Sequence, residues 1–187
     1  MYNFIKQLIE GKVPKTLEQT PLPYTIDALY PALGKDAVNF HYNKLYHTYV
    51  ERFNKGEGDL DFNEAGAFLH SIYFSQLQPF DDSNPIVGPI ADFIKQHFST
   101  FGKFKENFEK VAMGIQGAGW VYLSTDGKIK TITNHEIKQD ILILIDWWEH
   151  SWVLDYQADK KTYLENQWKI MNWDFLNSKL ENKALTQ

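Results

Sequence analysis

Residues 119–150 read GWVYLSTDGKIKTITNHEIKQDILILIDWWEH, and the fold class turns on them. Three strand-like segments follow one another here: Gly119 to Ser124, Lys128 to Thr133 and Asp140 to Trp147. Asp126-Gly127 between the first two is a strong hairpin signal, because this pair supplies the left-handed backbone of a tight turn. A small three-stranded antiparallel sheet is expected. The run Ile141 to Ile145 reads as a buried strand, so Asp146 arrives where such a strand ends.

Upstream the periodicity changes. Helical patterns occupy about 89–98 and 102–115, and before them Asp81-Asp82-Ser83-Asn84-Pro85 with Gly88-Pro89 is the clearest linker. Apolar and aromatic residues recur at helical spacing from Asp36 to about Phe53 (Val38, Tyr42, Leu45, Tyr46, Tyr49, Val50), and Gly56 and Gly58 end that helix. A second helix is expected from about Asn63 to Gln76, stopping before Pro79. Pro21, Pro23 and Pro31 mark a loop-rich entry, preceded by a short amphipathic stretch at 3–9, and a helical portion starts near Lys160. The fold class is therefore α+β: an N-terminal antiparallel helical hairpin over 1–84 and a C-terminal α/β domain over 85–187 that carries the sheet.

Composition narrows the chemistry. The chain has 187 residues, a net charge of −5, and a single arginine, Arg52, among its 19 basic residues. That balance argues against nucleic acid, which needs clustered Lys and Arg. There is no cysteine, which removes disulfides, thiolate ligands, iron–sulfur clusters and thiol nucleophiles together. The longest apolar run is too short to cross a bilayer, and the first twenty residues lack a signal-peptide pattern, so the reading is a soluble, cytoplasmic protein with no membrane partner.

The six histidines are His41, His47, His70, His97, His135 and His150. Taken singly, each is more often a packed or surface residue than a ligand, and His47 and His97 stay in that class. Asp146 is different, because a carboxylate in so apolar a setting must be paired, hydrogen-bonded or bound to metal. His150 lies four residues on. His41 and His70 sit inside the two expected helices, which antiparallel packing could bring together. Three His and one carboxylate suit iron, manganese or zinc. Spacing carries the reading no further.

From about Leu22 onward the sequence resembles the iron/manganese superoxide dismutases. The resemblance rests on Leu22-Pro23-Tyr24, His41-Tyr42-Asn43-Lys44 through Thr48-Tyr49-Val50, Leu69-His70-Ser71-Ile72-Tyr73, Gly117-Ala118-Gly119-Trp120, Asp146-Trp147-Trp148-Glu149-His150, and Tyr163 through Trp168 with Asn172-Trp173. It implies one redox metal ion per subunit, iron favoured and manganese the alternative, held by His41, His70, Asp146 and His150. The substrate implied is superoxide, converted to dioxygen and hydrogen peroxide. Tyr49 matches the tyrosine that gates substrate and shares protons; Trp120, Trp148 and Phe74 match the walls of the metal pocket.

Relatives set the metal's potential through a hydrogen-bond donor beside the bound solvent. Where many iron enzymes place a Gln for this, the chain has Gly66, and the matching segment of the other half reads Asn134-His135-Glu136, which makes His135 the donor. The resemblance also implies a homodimer, with Glu149 linking to His150 of a second subunit. Leu45 and Val153 replace a His and Tyr that pair across that interface in relatives. Lys44 is retained near the channel, and Lys160 stands for the family's arginine. Two other readings are weighed: a metal-binding paralogue with a structural or binding role, which would not require Tyr49 or His135, and a non-haem iron oxygenase, which would not require a fourth ligand.

Overall fold

The computed structural model describes residues 15–184, so the stretch at 3–9 lies outside the described residues. The first long helix is continuous but not uniform. It runs through α1 (Lys35–Phe40), a π-helical stretch (His41–Tyr46) and α2 (His47–Lys55). The sequence pattern suggested a plain α-helix here; a π turn adds a residue and re-aims the side chains after it, and such turns gather at functional sites. Gly56, at φ 70°, ends the arm in the left-handed conformation that glycine adopts without strain.

The return arm, α3 (Leu60–Ser75), starts three residues before the expected Asn63 because Asp59 caps it: the Phe62 backbone N–H donates to the Asp59 carboxylate at 3.1 Å. Its buried face carries the small residues Ala65, Gly66 and Ala67 beside Leu69, His70, Tyr73 and Phe74. Small side chains let the two arms pack closely, so both histidines end up between them.

The linker ties back to the C-terminal part. Gln78 N–H donates to Ile170 O at 2.7 Å, and the Asn84 amide donates to Trp168 O and Met171 O at 2.7 and 2.8 Å. Then come α4 (Pro89–Phe98) and α5 (Phe101–Met113), followed by β1 (Gly119–Ser124), β2 (Ile129–Thr133) and β3 (Ile141–Asp146). The sheet is antiparallel in the order β2-β1-β3, with Trp120 of β1 opposite Ile132 on one side and Asp146 on the other. The expected α+β class, helical hairpin and three-stranded sheet are therefore all present. β1 and β3 are buried along their whole length.

Two details hold the sheet in place. The open edge of β3 is occupied by a side chain: the Gln76 amide accepts from Leu144 N–H at 3.0 Å and donates to Leu144 O, as a neighbouring strand would. The β1–β2 turn packs against His97 at Gly127, whose φ is 78°. A Cβ there would stand 1.9 Å from His97 Cδ2, so both backbone and neighbour require glycine.

After β3 the chain makes a 3-10 turn (Glu149–Ser151), then α6 (Val153–Tyr156), α7 (Lys160–Gln167) and α8 (Trp173–Ala184). The single turn of α6 precedes the helical portion expected from Lys160. Among the described residues, no helix is long and apolar enough to cross a membrane.

Candidate metal centre

Four elements contribute one side chain each. His41 opens the π-helical stretch, His70 lies on α3, Asp146 ends β3, and His150 sits in the 3-10 turn. Their donor atoms all lie within 4.8 Å of one another. The Oδ2 of Asp146 is 3.2 Å from His41 Nε2, 3.3 Å from His150 Nε2 and 3.8 Å from His70 Nε2.

Local bonds sort the atoms of the cluster. Trp148 N–H donates to Asp146 Oδ1 at 2.7 Å, leaving Oδ2 to face the histidines. Tyr163 hydroxyl and Ser151 hydroxyl donate to the Asp146 carbonyl at 2.9 and 3.2 Å, fixing the strand end. His70 Nδ1 is 2.7 Å from Gly66 O, so it carries the proton and Nε2 holds a lone pair. His41 Nε2 and His70 Nε2 are both buried without a hydrogen-bond partner.

Electrostatics completes the argument. Burial, with His150 adding, pushes His41 down to about 4. Burial, with His41 adding, pushes His70 far below its ordinary value. For Asp146, burial alone would raise the carboxyl; His150 and His41 beside it outweigh that and hold it well below the usual carboxylate range. His70 thus aims a lone pair at an ionised carboxylate in a dry interior, and His41 presents a buried Nε2 without a hydrogen-bond partner to the same oxygen, an arrangement that is costly unless a cation sits between them. The nitrogen and oxygen donors fit iron, manganese or zinc.

A pH dependence follows for the metal-free protein. His135, like His41, is pushed down to about 4 in the fold, chiefly by burial. Between that value and the ordinary 6.5, the unfolded chain binds protons that the fold refuses. Stability is therefore full above pH 6.5 and falls toward pH 4, by about 3 kcal/mol for each of the two residues. Urea unfolding of apo protein at pH 7.5 and 4.5 measures it; equal stabilities would contradict it.

His135 adjoins the cluster from the segment after β2. Trp120 Nε1–H donates to His135 Nδ1 at 3.1 Å. An indole nitrogen only donates, so Nδ1 accepts and the ring proton sits on Nε2. That nitrogen is 3.0 Å from the Tyr49 hydroxyl. Burial, with Asp146 adding, pushes Tyr49 up to about 12, which keeps the phenol protonated at neutral pH. Gly66 makes this meeting possible: a Cβ there would stand 2.9 Å from the Tyr49 ring and 3.2 Å from His135 Cδ2.

The rings expected as walls lie at the cluster. Phe74 is 4.9 Å from His41, Trp120 is 5.0 Å from His70, and Trp148 stacks on His135 at 4.7 Å, centroid to centroid. Three more rings pack here that sequence reasoning did not single out for the site. Tyr46 stacks on His70, Tyr73 stacks on His41, and Phe62 lies 4.6 Å from His135. Tyr73 one turn after His70, and Phe62 one turn before Gly66, were legible as helix neighbours of site residues.

Glu149 is exposed, Leu45 half-buried and Val153 36% exposed. Lys44 is exposed, and Lys160 Nζ stands 4.7 Å over the Trp152 ring. His47 and His97 lie apart from the cluster; their Nδ1 atoms meet Gln19 Oε1 at 3.1 Å and Phe93 O at 2.9 Å.

Comparison with known proteins gives a consistent picture. Residues 86–179 match the C-terminal domain of iron/manganese superoxide dismutases, and residues 16–61 match their alpha-hairpin domain. A protein of Porphyromonas gingivalis named superoxide dismutase [Mn/Fe] is 33% identical over 191 residues, covering 88% of this chain and 99% of its own. The superoxide dismutase [Fe] of Bordetella pertussis is 33% identical, covering 83% and 94%. That of Pyrobaculum aerophilum is 32% identical, covering 88% and 92%.

Proposed function

This chain belongs to the iron/manganese superoxide dismutase family, and we propose that it disproportionates superoxide at a single iron held by His41, His70, Asp146 and His150. Two superoxide anions and two protons give one dioxygen and one hydrogen peroxide. The observation that carries this reading is the aim of two buried, unpartnered imidazole nitrogens at one carboxylate oxygen. The metal, when bound, supplies the one-electron redox chemistry that no side chain here can perform.

The chain's own residues do the rest. Tyr49 keeps its proton to high pH and bonds to the Nε2 edge of His135. Together they hold a proton at the edge of the cavity, where the reduced oxygen needs one. The surrounding rings exclude bulk water and lower the local dielectric. With a net charge of −5, anion approach depends on local cations, for which Lys44 and Lys160 are the candidates.

The preference for iron rests on His135. A donor beside the ion's solvent favours the oxidised state, and an imidazole N–H already engaged by Tyr49 does so weakly. Iron(III) is the weaker oxidant and needs the smaller correction; of the relatives compared above, two are named for iron and one for both metals. Reconstituting the parent and His135→Gln proteins with each metal tests it. The iron-loaded parent should be at least as active as the manganese-loaded one, with the balance moving toward manganese in the variant. Activity with manganese only in the parent would reverse the assignment, and bound metal without superoxide consumption would favour a structural paralogue.

We also propose a homodimer. The helix bearing Phe40 (42% exposed) lies against the one bearing Val153 and Leu154 (36% and 58% exposed), beside the outward-facing Glu149. Glu149 would reach His150 of a second subunit while Leu45 and Val153 make apolar contact. Sedimentation at micromolar concentration should give twice the mass of one chain; a monomer would refute the interface.

A further inference from the structure

The imidazole of His135 is held by rings on several sides. Trp148 stacks on it with centroids 4.7 Å apart and planes 20° from parallel; Tyr49 meets it at 4.9 Å and 83°. Phe62 approaches to 4.6 Å with a tilt of 54°. Only 6.4 Å separates Phe62 from Trp148, so the two occupy adjacent sides of the imidazole rather than opposite faces. Trp148 therefore fixes the plane of the ring, and Phe62 blocks its sideways swing.

What lies beyond Phe62 gives the block a purpose. A pocket of about 540 Å³ opens between the start of α3 and the 133–137 segment, and both Phe62 and His135 line it. Its other walls include the carboxylates of Asp59, Asp61, Glu64 and Glu136. Lys15 pairs with Glu64 and Lys138 with Glu136, which reduces the negative field but leaves Asp59 and Asp61 at the rim. Such a pocket repels an anionic substrate, and it offers an imidazole both room and acceptors. A ring that turned into it would lose the Trp120 and Tyr49 bonds together.

We propose that Phe62 is a positioning residue for His135: its ring keeps the imidazole turned toward Tyr49 and away from the acidic pocket that both residues line. The inference rests on the role given to His135 above, but its geometry does not depend on activity. The contrast is between Phe62→Ala, which removes the block, and Phe62→Leu, which keeps most of its volume. The readout is hydrogen–deuterium exchange at histidine Cε1, followed by mass spectrometry of peptides from the metal-loaded proteins.

Exchange at His135 should rise roughly tenfold in Phe62→Ala, as local opening frees the ring, and return close to the parent rate in Phe62→Leu. Exchange at His70 should stay at the parent rate in both. Activity should fall in the Ala variant and recover in the Leu variant. Unchanged His135 exchange in a metal-loaded Phe62→Ala protein would overturn the proposal, as would an equal rise at both histidines. Should Phe62→Ala fail to fold, Phe62→Val carries the same comparison. A parent without dismutase activity would sink the functional reading and leave the exchange result to be judged by itself.

Discussion

Asp146→Asn should strip the protein of its metal and, with it, of activity. The substitution is nearly isosteric, and Asn Oδ1 can still accept the Trp148 N–H that now bonds Asp146 at 2.7 Å. What changes is the atom facing the three imidazoles: a carboxylate oxygen becomes an amide N–H₂. The only negative charge in a set of otherwise neutral donors is lost, and the new group donates where a cation should sit. Losing a partner of a ligand weakens metal binding by about 10- to 100-fold, so losing the charged ligand itself should exceed that range. The metal-free protein should respond in the other direction. Asn can donate to an imidazole nitrogen that lacks a partner in the parent, so the apo variant should be at least as stable as the apo parent. Thermal unfolding with and without chelator separates the two effects. The parent's Tm should fall on chelation, because bound metal stabilises only the folded state, whereas the variant's should not move. A variant that kept one metal per chain, with parent activity, would remove Asp146 from the site.

Gly66→Gln should damage the hairpin and the site severely, even though many iron-using relatives are expected to carry Gln there. A Cβ alone would press to 2.9 Å on the Tyr49 ring and 3.2 Å on His135 Cδ2. Four further heavy atoms would have to enter the space that the two rings now fill. Overpacking of this kind costs about 1–3 kcal/mol, and the gain in helix propensity over glycine, under about 1 kcal/mol, does not offset it. Displacing either ring also breaks the 3.0 Å bond between Tyr49 and His135. A drop in activity of about 100-fold or more is expected, in line with the loss of a positioned proton donor. Gly66→Ala should fall between, with a smaller shift of Tyr49. The double variant Gly66→Gln with His135→Ala should recover stability, because it vacates the space the amide needs. Denaturation midpoints of the parent, Gly66→Gln, His135→Ala and the double variant measure this, and additive losses in the double variant would show that the two positions do not compete for one volume.

Much of the architecture was written locally. The Asp126-Gly127 turn and the strands beside it were legible because their signals, a turn pair and an apolar run, lie within a few residues of one another. The same holds for Pro89–Phe98, bracketed by its own proline and the end of its apolar period. Boundaries moved where a cap or a neighbour intervened. Asp59 drew α3 three residues forward, and the π-helical stretch at His41–Tyr46 left no mark in the apolar spacing.

For the site, the motifs named which residues to watch, and nothing in their spacing said that the atoms meet. The sequence by itself determined a helical hairpin ahead of a small sheet, the family, and the donor types available. The tertiary structure alone decided that donor atoms from four elements lie within 4.8 Å of one another. It also decided that Trp120, fifteen residues before His135, places that ring's proton on Nε2. Phe62 belongs to the same group, as a helix residue of ordinary type until the 133–137 segment folds against it. The reason is physical. Local structure follows from backbone preference and apolar period, which one segment carries alone, whereas tautomers, depressed pKa values and ring contacts depend on what packing brings to each group from distant parts of the chain.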